Sequence, residues 1–186
     1  MKFAIRILLI CSCLFSLAFA REDNNTYMNI TSSSAVWANP KEIKVYIEES
    51  SKSSIFERAF KTWDDALRSD INFTFANNSN EADITIGYIE QAIKKQMGIT
   101  KIKYKNIQGK KYIDKAHISV AKKDLGGFIQ CDASLMKLSL HEIGHALGVT
   151  EHSKIAKDIM YHPVTFVLHA DLSYKDIYTV NKLYGF

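Results

Sequence analysis

The amino-acid sequence predicts an α+β domain, an α/β sandwich in which helices cover a twisted, mixed β-sheet. Short runs of β-branched and aromatic residues alternate with polar ones in the first two thirds of the chain, as in half-buried strands. Apolar residues with helical spacing occur once among these runs and again after residue 132. Strands followed by two late helices indicate a layered sandwich.

The first half of the chain predicts three strands and one helix. Residues 44–47, 71–75 and 81–88 have the composition and alternation of strands. A helix is expected between the first two strands, because four apolar residues there fall on one helical face: Ile55, Ala59, Phe60 and Trp63.

The second half predicts two more strands and a helix. Residues 97–120 contain β-branched runs that Gly109 interrupts, and 117–120 is the clearer strand. The following helix is expected to begin with Asp132 as its N-cap. Its core-facing positions are predicted to be Leu135, Leu138, Ile143 and Leu147.

A last helix is predicted near the end of the chain. Ser173 and Asp176 have the spacing of a capping box, which marks a helix start. The residues expected to face inward are Ile177, Val180 and Tyr184.

Residues 1–20 have the pattern of a signal peptide, which predicts a secreted protein, extracellular or periplasmic. Lys2 and Arg6 are followed by an apolar run and by small residues at 18 and 20. The alternative is a lipoprotein signal that ends at Cys13. Residues 21–34 are polar and predict a flexible lead-in, and 35–186 are predicted to form one domain.

The charge of the mature part argues against a nucleic-acid partner. Without residues 1–20, the chain has 22 basic and 20 acidic residues and is nearly neutral. No segment after residue 20 is apolar over enough residues to span a bilayer. We expect a monomer.

The motif with the clearest chemical meaning is His141, Glu142 and His145. Residues four apart share a helix face, so His141 and His145 can bind one metal ion. Glu142 lies beside the first ligand, where it can hold a water without coordinating. Gly148 lets the helix end in a left-handed turn, so that a third ligand such as His152 can return to the metal. Catalytic zinc sites need three such ligands and one open position.

These residues, with Met160 eight positions after His152, resemble the metzincin signature, and within it that of the matrixins. The resemblance covers residues 35–186 and is weakest from 89 to 130. It extends to Trp37, to the helix at 56–63 and to the Ala-Asp-Ile core at 82–84. It implies that Met160 forms an apolar floor beneath the zinc ligands.

The third ligand departs from the family spacing. The resemblance places it three residues after the glycine, which is Glu151 here, with His152 one position later. We favour His152, since the distance from His152 to Met160 matches matrixin spacing and imidazole is a common zinc ligand. Glu151 is the alternative.

The middle segment, residues 89–130, also departs from the matrixin pattern. Matrixins usually hold a second, structural zinc and calcium ions there, whereas this chain has a lysine-rich stretch in which His117 is the single histidine. The sequence therefore does not support structural Ca²⁺ or a second Zn²⁺. The lysines are interpreted as a solvated strand edge, with a preference for acidic substrates as the alternative.

The resemblance implies a secreted zinc metalloendopeptidase with Glu142 as general base and protein or peptide substrates. The residues at 161–168 would form the wall of the pocket beside the zinc. Because Val164, Phe166, Val167 and Leu168 are apolar, we expect a hydrophobic residue just after the cleaved bond. The substrate would lie extended along an edge strand of the 99–120 region. His162 could contact the oxyanion, but His117, His162 and His169 are interpreted as ordinary histidines.

Two other hypotheses stay open. One is a metzincin of another branch, with Glu151 as third ligand and a narrower substrate range. The other is a secreted zinc-binding module without activity, which the presence of Glu142 disfavours.

Overall fold

The computed structural model describes residues 26–93, 96–162 and 170–186. Its strands are β1 (Val36–Trp37), β2 (Ile43–Ile47), β3 (Phe73–Phe75), β4 (Ile84–Ile89), β5 (Gly98–Ile107) and β6 (Lys110–Ala121). Its α-helices are α1 (Ser53–Ala66), α2 (Asp132–Ala146) and α3 (Tyr174–Tyr184). The signal-peptide prediction and Cys13 lie outside the described residues.

The strands form one mixed sheet, as predicted. Their order is β5-β6-β4-β2-β3, and β1 pairs with β6 at Tyr112 and Ile113. Every pairing is parallel except that of β5 with β6, which form an antiparallel hairpin. Among the described strands, β5 pairs with β6 alone. Its other edge is therefore unpaired by any strand of the described residues.

The core lies between the sheet and helices α1 and α2. Helix α1 buries the predicted apolar face completely, with Phe60 and Trp63 both at 0% exposure. The Trp63 indole nitrogen donates to the carbonyl oxygen of Leu140 in α2 at 3.0 Å, which fixes the two helices against each other. Helix α2 begins one residue earlier than predicted, because Cys131 is its N-cap and Asp132 lies in its first turn.

The capping box predicted for α3 is present, and it does more than begin the helix. Asp176 is completely buried, although the sequence pattern did not indicate this. Its carboxylate accepts hydrogen bonds from the backbone nitrogens of Ser173 (2.7 Å), Ile159 (3.0 Å) and Met160 (3.2 Å). The Tyr27 hydroxyl donates to the same carboxylate. One side chain thus joins the last helix, the turn at Met160 and the N-terminal segment.

The N-terminal segment differs from the flexible lead-in expected over residues 21–34. In its described part, Met28 is 7% exposed and belongs to the hydrophobic core. Together with the Tyr27 hydrogen bond, this contact attaches residues 27 and 28 to the domain. No described helix is long and apolar enough to cross a membrane.

Candidate metal centre

Three histidines converge at the C-terminal half of α2. The ring centroids of His141 and His145 lie 4.8 Å apart, and that of His152 lies 5.2 and 5.0 Å from them. One potential ligand atom of each lies within 4.8 Å of the others. Within the described ranges, these three histidines form the one cluster of at least three His, Cys, Asp or Glu side chains that could hold a metal ion.

The turn that brings His152 back depends on Gly148. This residue has φ of +99°, in the left-handed region, and a Cβ there would lie 2.5 Å from the carbonyl oxygen of Ala35. Two aromatic donors satisfy carbonyls at the end of α2. The indole of Trp37 donates to Ala146 and the hydroxyl of Tyr184 donates to Leu147, both at 3.0 Å. The predicted glycine turn is therefore required sterically as well as conformationally.

Backbone carbonyls orient two of the imidazoles. Nδ1 of His141 lies 2.7 Å from the oxygen of Ile159, and Nδ1 of His145 lies 2.6 Å from that of Val149. When Nδ1–H donates to a carbonyl, the lone pair on Nε2 is free for a metal. Nε2 of His145 lies 3.2 Å from Nε2 of His152. Two nitrogens on a tetrahedral zinc ion lie about 3.3 Å apart, so the arrangement fits zinc.

The electrostatics of the site also favour neutral imidazoles. Burial lowers the pKa of His141 to about 3 and that of His145 to about 4. Burial, followed by the nearby His162, lowers the pKa of His152. Neutral imidazole is the form that binds a metal, so metal binding at neutral pH does not require these rings to lose a proton.

Glu151, the alternative third ligand, is exposed and does not belong to the convergent group. The chain between Gly148 and His152 is one residue longer than the family spacing, and in the structure this length brings His152 to the other two rings.

Glu142 lies beside the histidines and is held by β5. It is only 4% exposed, and burial raises the pKa of its carboxyl to about 7. The Thr100 hydroxyl donates to Oε2 at 2.6 Å. A Cβ on Gly98 would lie 2.4 Å from Oε1, so only glycine leaves room for this carboxylate. Sequence reasoning missed both residues, because a strand 42 residues away in the sequence gives no local signal of contact with Glu142.

Met160 lies under α2, where the family resemblance placed it. It is completely buried, and its Sδ is 2.4 Å from the position that a Cβ of Gly144 would occupy. Its carbonyl accepts from the nitrogen of Ser153 at 2.8 Å, which connects the turn to the segment carrying His152.

A cleft of about 390 Å³ opens over these groups. Its lining includes Thr100 and Ile102 of β5, Glu142, Leu125 and His162. The His162 ring lies 4.9 Å from that of His152. His117 is on a different part of the sheet, 2.7 Å from the Thr85 hydroxyl. The apolar wall predicted at 164–168, and His169, lie outside the described residues.

Known proteins are similar to this chain in sequence. Metalloendoproteinase 2-MMP of Arabidopsis thaliana is 31% identical over 141 residues, which are 71% of this chain and 36% of that protein. Metalloendoproteinase 1-MMP of the same plant is 27% identical over 149 residues, 75% of this chain and 40% of that protein. The chain thus spans less than half the length of these relatives.

The crystal structure of myroilysin shares the fold, with a TM-score of 0.51 at 11% identity over 89% of this chain and 96% of that one. The sequence model of the matrixin family matches residues 31–185, nearly all of the predicted domain. The protein therefore belongs to the matrixin family of metallopeptidases.

Proposed function

We propose that the protein is a secreted, zinc-dependent metalloendopeptidase. The observation that carries the proposal is the convergence of three neutral imidazoles beside a buried, strand-held glutamate in an open cleft. His141, His145 and His152 would hold one zinc ion through Nε2. The metallopeptidase relatives support the same activity, and the signal-peptide pattern of residues 1–20 supports secretion.

Zinc supplies Lewis acidity at such a site: it polarises a scissile carbonyl and lowers the pKa of water. Glu142 supplies the base. Its raised pKa suits a group that takes a proton from the attacking water and returns it to the leaving amine. Because Thr100 occupies Oε2, Oε1 is the oxygen that accepts this proton.

The substrate peptide lies extended along the free edge of β5. This strand borders the cleft with Thr100 and Ile102, and its unpaired edge can add a further strand. A hydrophobic residue after the cleaved bond remains our prediction from the apolar residues at 164–168.

The proposal predicts one zinc per chain and activity that requires Glu142. Glu142→Ala should keep the fold and the zinc but lower kcat/KM for a generic peptide by about a hundred- to ten-thousand-fold. Zinc content per chain is measured by metal analysis of chelator-treated, zinc-restored protein. The value of kcat/KM is measured with a fluorogenic peptide library. Glu57→Ala, a change at an exposed glutamate of α1, is the matched control and should behave like the unmodified protein.

Near-normal turnover by Glu142→Ala would exclude Glu142 as the base. Two tightly bound zinc ions per chain would contradict the single-site prediction. Stoichiometric zinc without cleavage of any library peptide would favour a zinc-binding module instead of an enzyme.

A further inference from the structure

We propose that the site selects extended peptides with acidic residues at alternate positions, through Lys101 and Lys103 on β5. This inference rests on the proposed peptidase function and on the placement of the substrate along β5. It assigns a role to the two lysines beyond that of a solvated edge.

Alternate side chains of β5 lie on opposite faces of the sheet. Thr100 and Ile102 line the cleft. Their partners on β6, Ile118 and Ala116, are both buried, so this face of β5 is continuous with the core.

Lys101 and Lys103 lie on the other face. Their register partners on β6 are His117 and Lys115, and all four of these side chains are exposed. The lysines are therefore next to the cleft but point away from its floor.

The positive charge of these two lysines is not neutralised within the described part of the chain. Lys105, the next lysine on β5, pairs with Asp114 at 3.1 Å. On β6, Lys115 pairs with Asp83 at 3.2 Å. No described acidic side chain pairs in this way with Lys101 or Lys103. Their register partners on β6 are an imidazole and a lysine, which add no negative charge.

The unpaired edge of β5 is the side from which a negative charge can approach. A peptide that adds to this edge places its side chains alternately into the cleft and beside the two lysines. Side chains directly opposite on neighbouring strands lie about 5 Å apart, within reach of an ion pair. Each such exposed pair should raise kcat/KM about two- to fivefold.

The test is a position scan of Glu against Gln in a peptide that the zinc-loaded protein cleaves. Glu is placed at one position at a time, over four residues on each side of the cleaved bond. We expect the ratio of kcat/KM for Glu to that for Gln to exceed one at the two positions opposite Lys101 and Lys103, which are two residues apart, and to fall in 0.5 M NaCl. Lys101→Gln/Lys103→Gln should bring the ratio to about one, and Lys101→Glu/Lys103→Glu should reverse it.

Lys41→Gln/Lys44→Gln is the matched control. It removes the same charge from exposed lysines near or in β2, away from the β5 edge, and should leave the alternating preference intact. A flat scan, a preference that persists in Lys101→Gln/Lys103→Gln, or an equal loss in the control would overturn the inference.

A binding measurement tests the lysine contacts separately from the proposed peptidase activity. Fluorescein-labelled Glu and Gln peptides are titrated against zinc-loaded Glu142→Ala protein, and the anisotropy is measured. An alternating preference in binding without cleavage by the unmodified protein would refute the peptidase and support the lysine contacts. Cleavage without any preference would refute the lysine contacts alone.

Discussion

The metal centre and the β5–β6 hairpin lie side by side, but they are built in opposite ways. At the metal centre, His141 is 3% exposed and Glu142 4% exposed, and both are held by hydrogen bonds. On the hairpin, Lys101 and Lys103 are exposed, and no described acidic group pairs with them. A change in the first region should therefore abolish function, whereas a change in the second should adjust it by small factors.

The comparison also shows how the two regions depend on each other. The histidines come from one stretch of chain, residues 141–152, but Glu142 is positioned by Gly98 and Thr100 of the hairpin. The same strand thus holds the proposed base on one face and carries the proposed selectivity lysines on the other.

The largest effect is expected at the third histidine. His152→Ala should lose stoichiometric zinc and all measurable peptidase activity. Mutation of a residue that only hydrogen-bonds to a metal ligand already lowers metal affinity about ten- to a hundredfold, and removal of a ligand itself should lower it further. Glu151→Ala, one residue earlier and exposed, should retain both. Zinc titration and the peptide assay measure the pair, and the reverse pattern would show that Glu151 is the ligand.

A smaller but still large effect is expected where the two regions touch. Gly98→Ala should lower kcat/KM about ten- to a hundredfold, because the new Cβ displaces the Glu142 carboxylate by a distance near 1 Å or more. Zinc content should stay near one per chain. Gly87→Ala is the control, since its Cβ would meet the Glu48 carboxylate at 3.3 Å on the outer face. Equal activity of both variants would show that β5 does not position Glu142.

The smallest effect on peptidase activity is expected at Asp176, where a substitution should instead lower the stability of the fold. Asp176→Asn replaces one carboxylate oxygen by an NH₂ group that faces donors, so the free energy of unfolding should fall by about 2 to 4 kcal/mol. Both oxygens of Asp176 accept hydrogen bonds, so neither amide orientation avoids the loss. Asp171→Asn, at an exposed position, should change little in denaturant unfolding. Equal stability of the two variants would contradict the anchoring role of Asp176.

The sequence predicted the parts of the molecule that depend on local periodicity. The strands predicted at 44–47 and within 81–88, the helical face of α1, the glycine turn at Gly148 and the capping box at Ser173 are confirmed because each is a property of a few neighbouring residues. The histidine spacing is equally local, and the structure brings the three rings together.

Contacts between distant segments could not be predicted in this way. The burial of Asp176 depends on Tyr27 and on the turn at Met160, far away in the sequence. The pattern of α3 showed only an acidic residue in a first turn, which is usually solvated. Likewise, the β-branched runs at 97–120 predicted strands but did not indicate that Gly98 would meet a carboxylate.

The open edge of β5 has a consequence for the protein as a population of molecules. An unpaired strand edge can accept any extended chain, including the same edge of another copy. If two copies met along β5, lysines of one would face lysines of the other, and like charges directly opposite each other are destabilising. Pairing of two copies through this edge is therefore disfavoured by Lys101, Lys103 and the other lysines of the hairpin. The proposed substrate selectivity and the protection against pairing of copies thus depend on the same side chains.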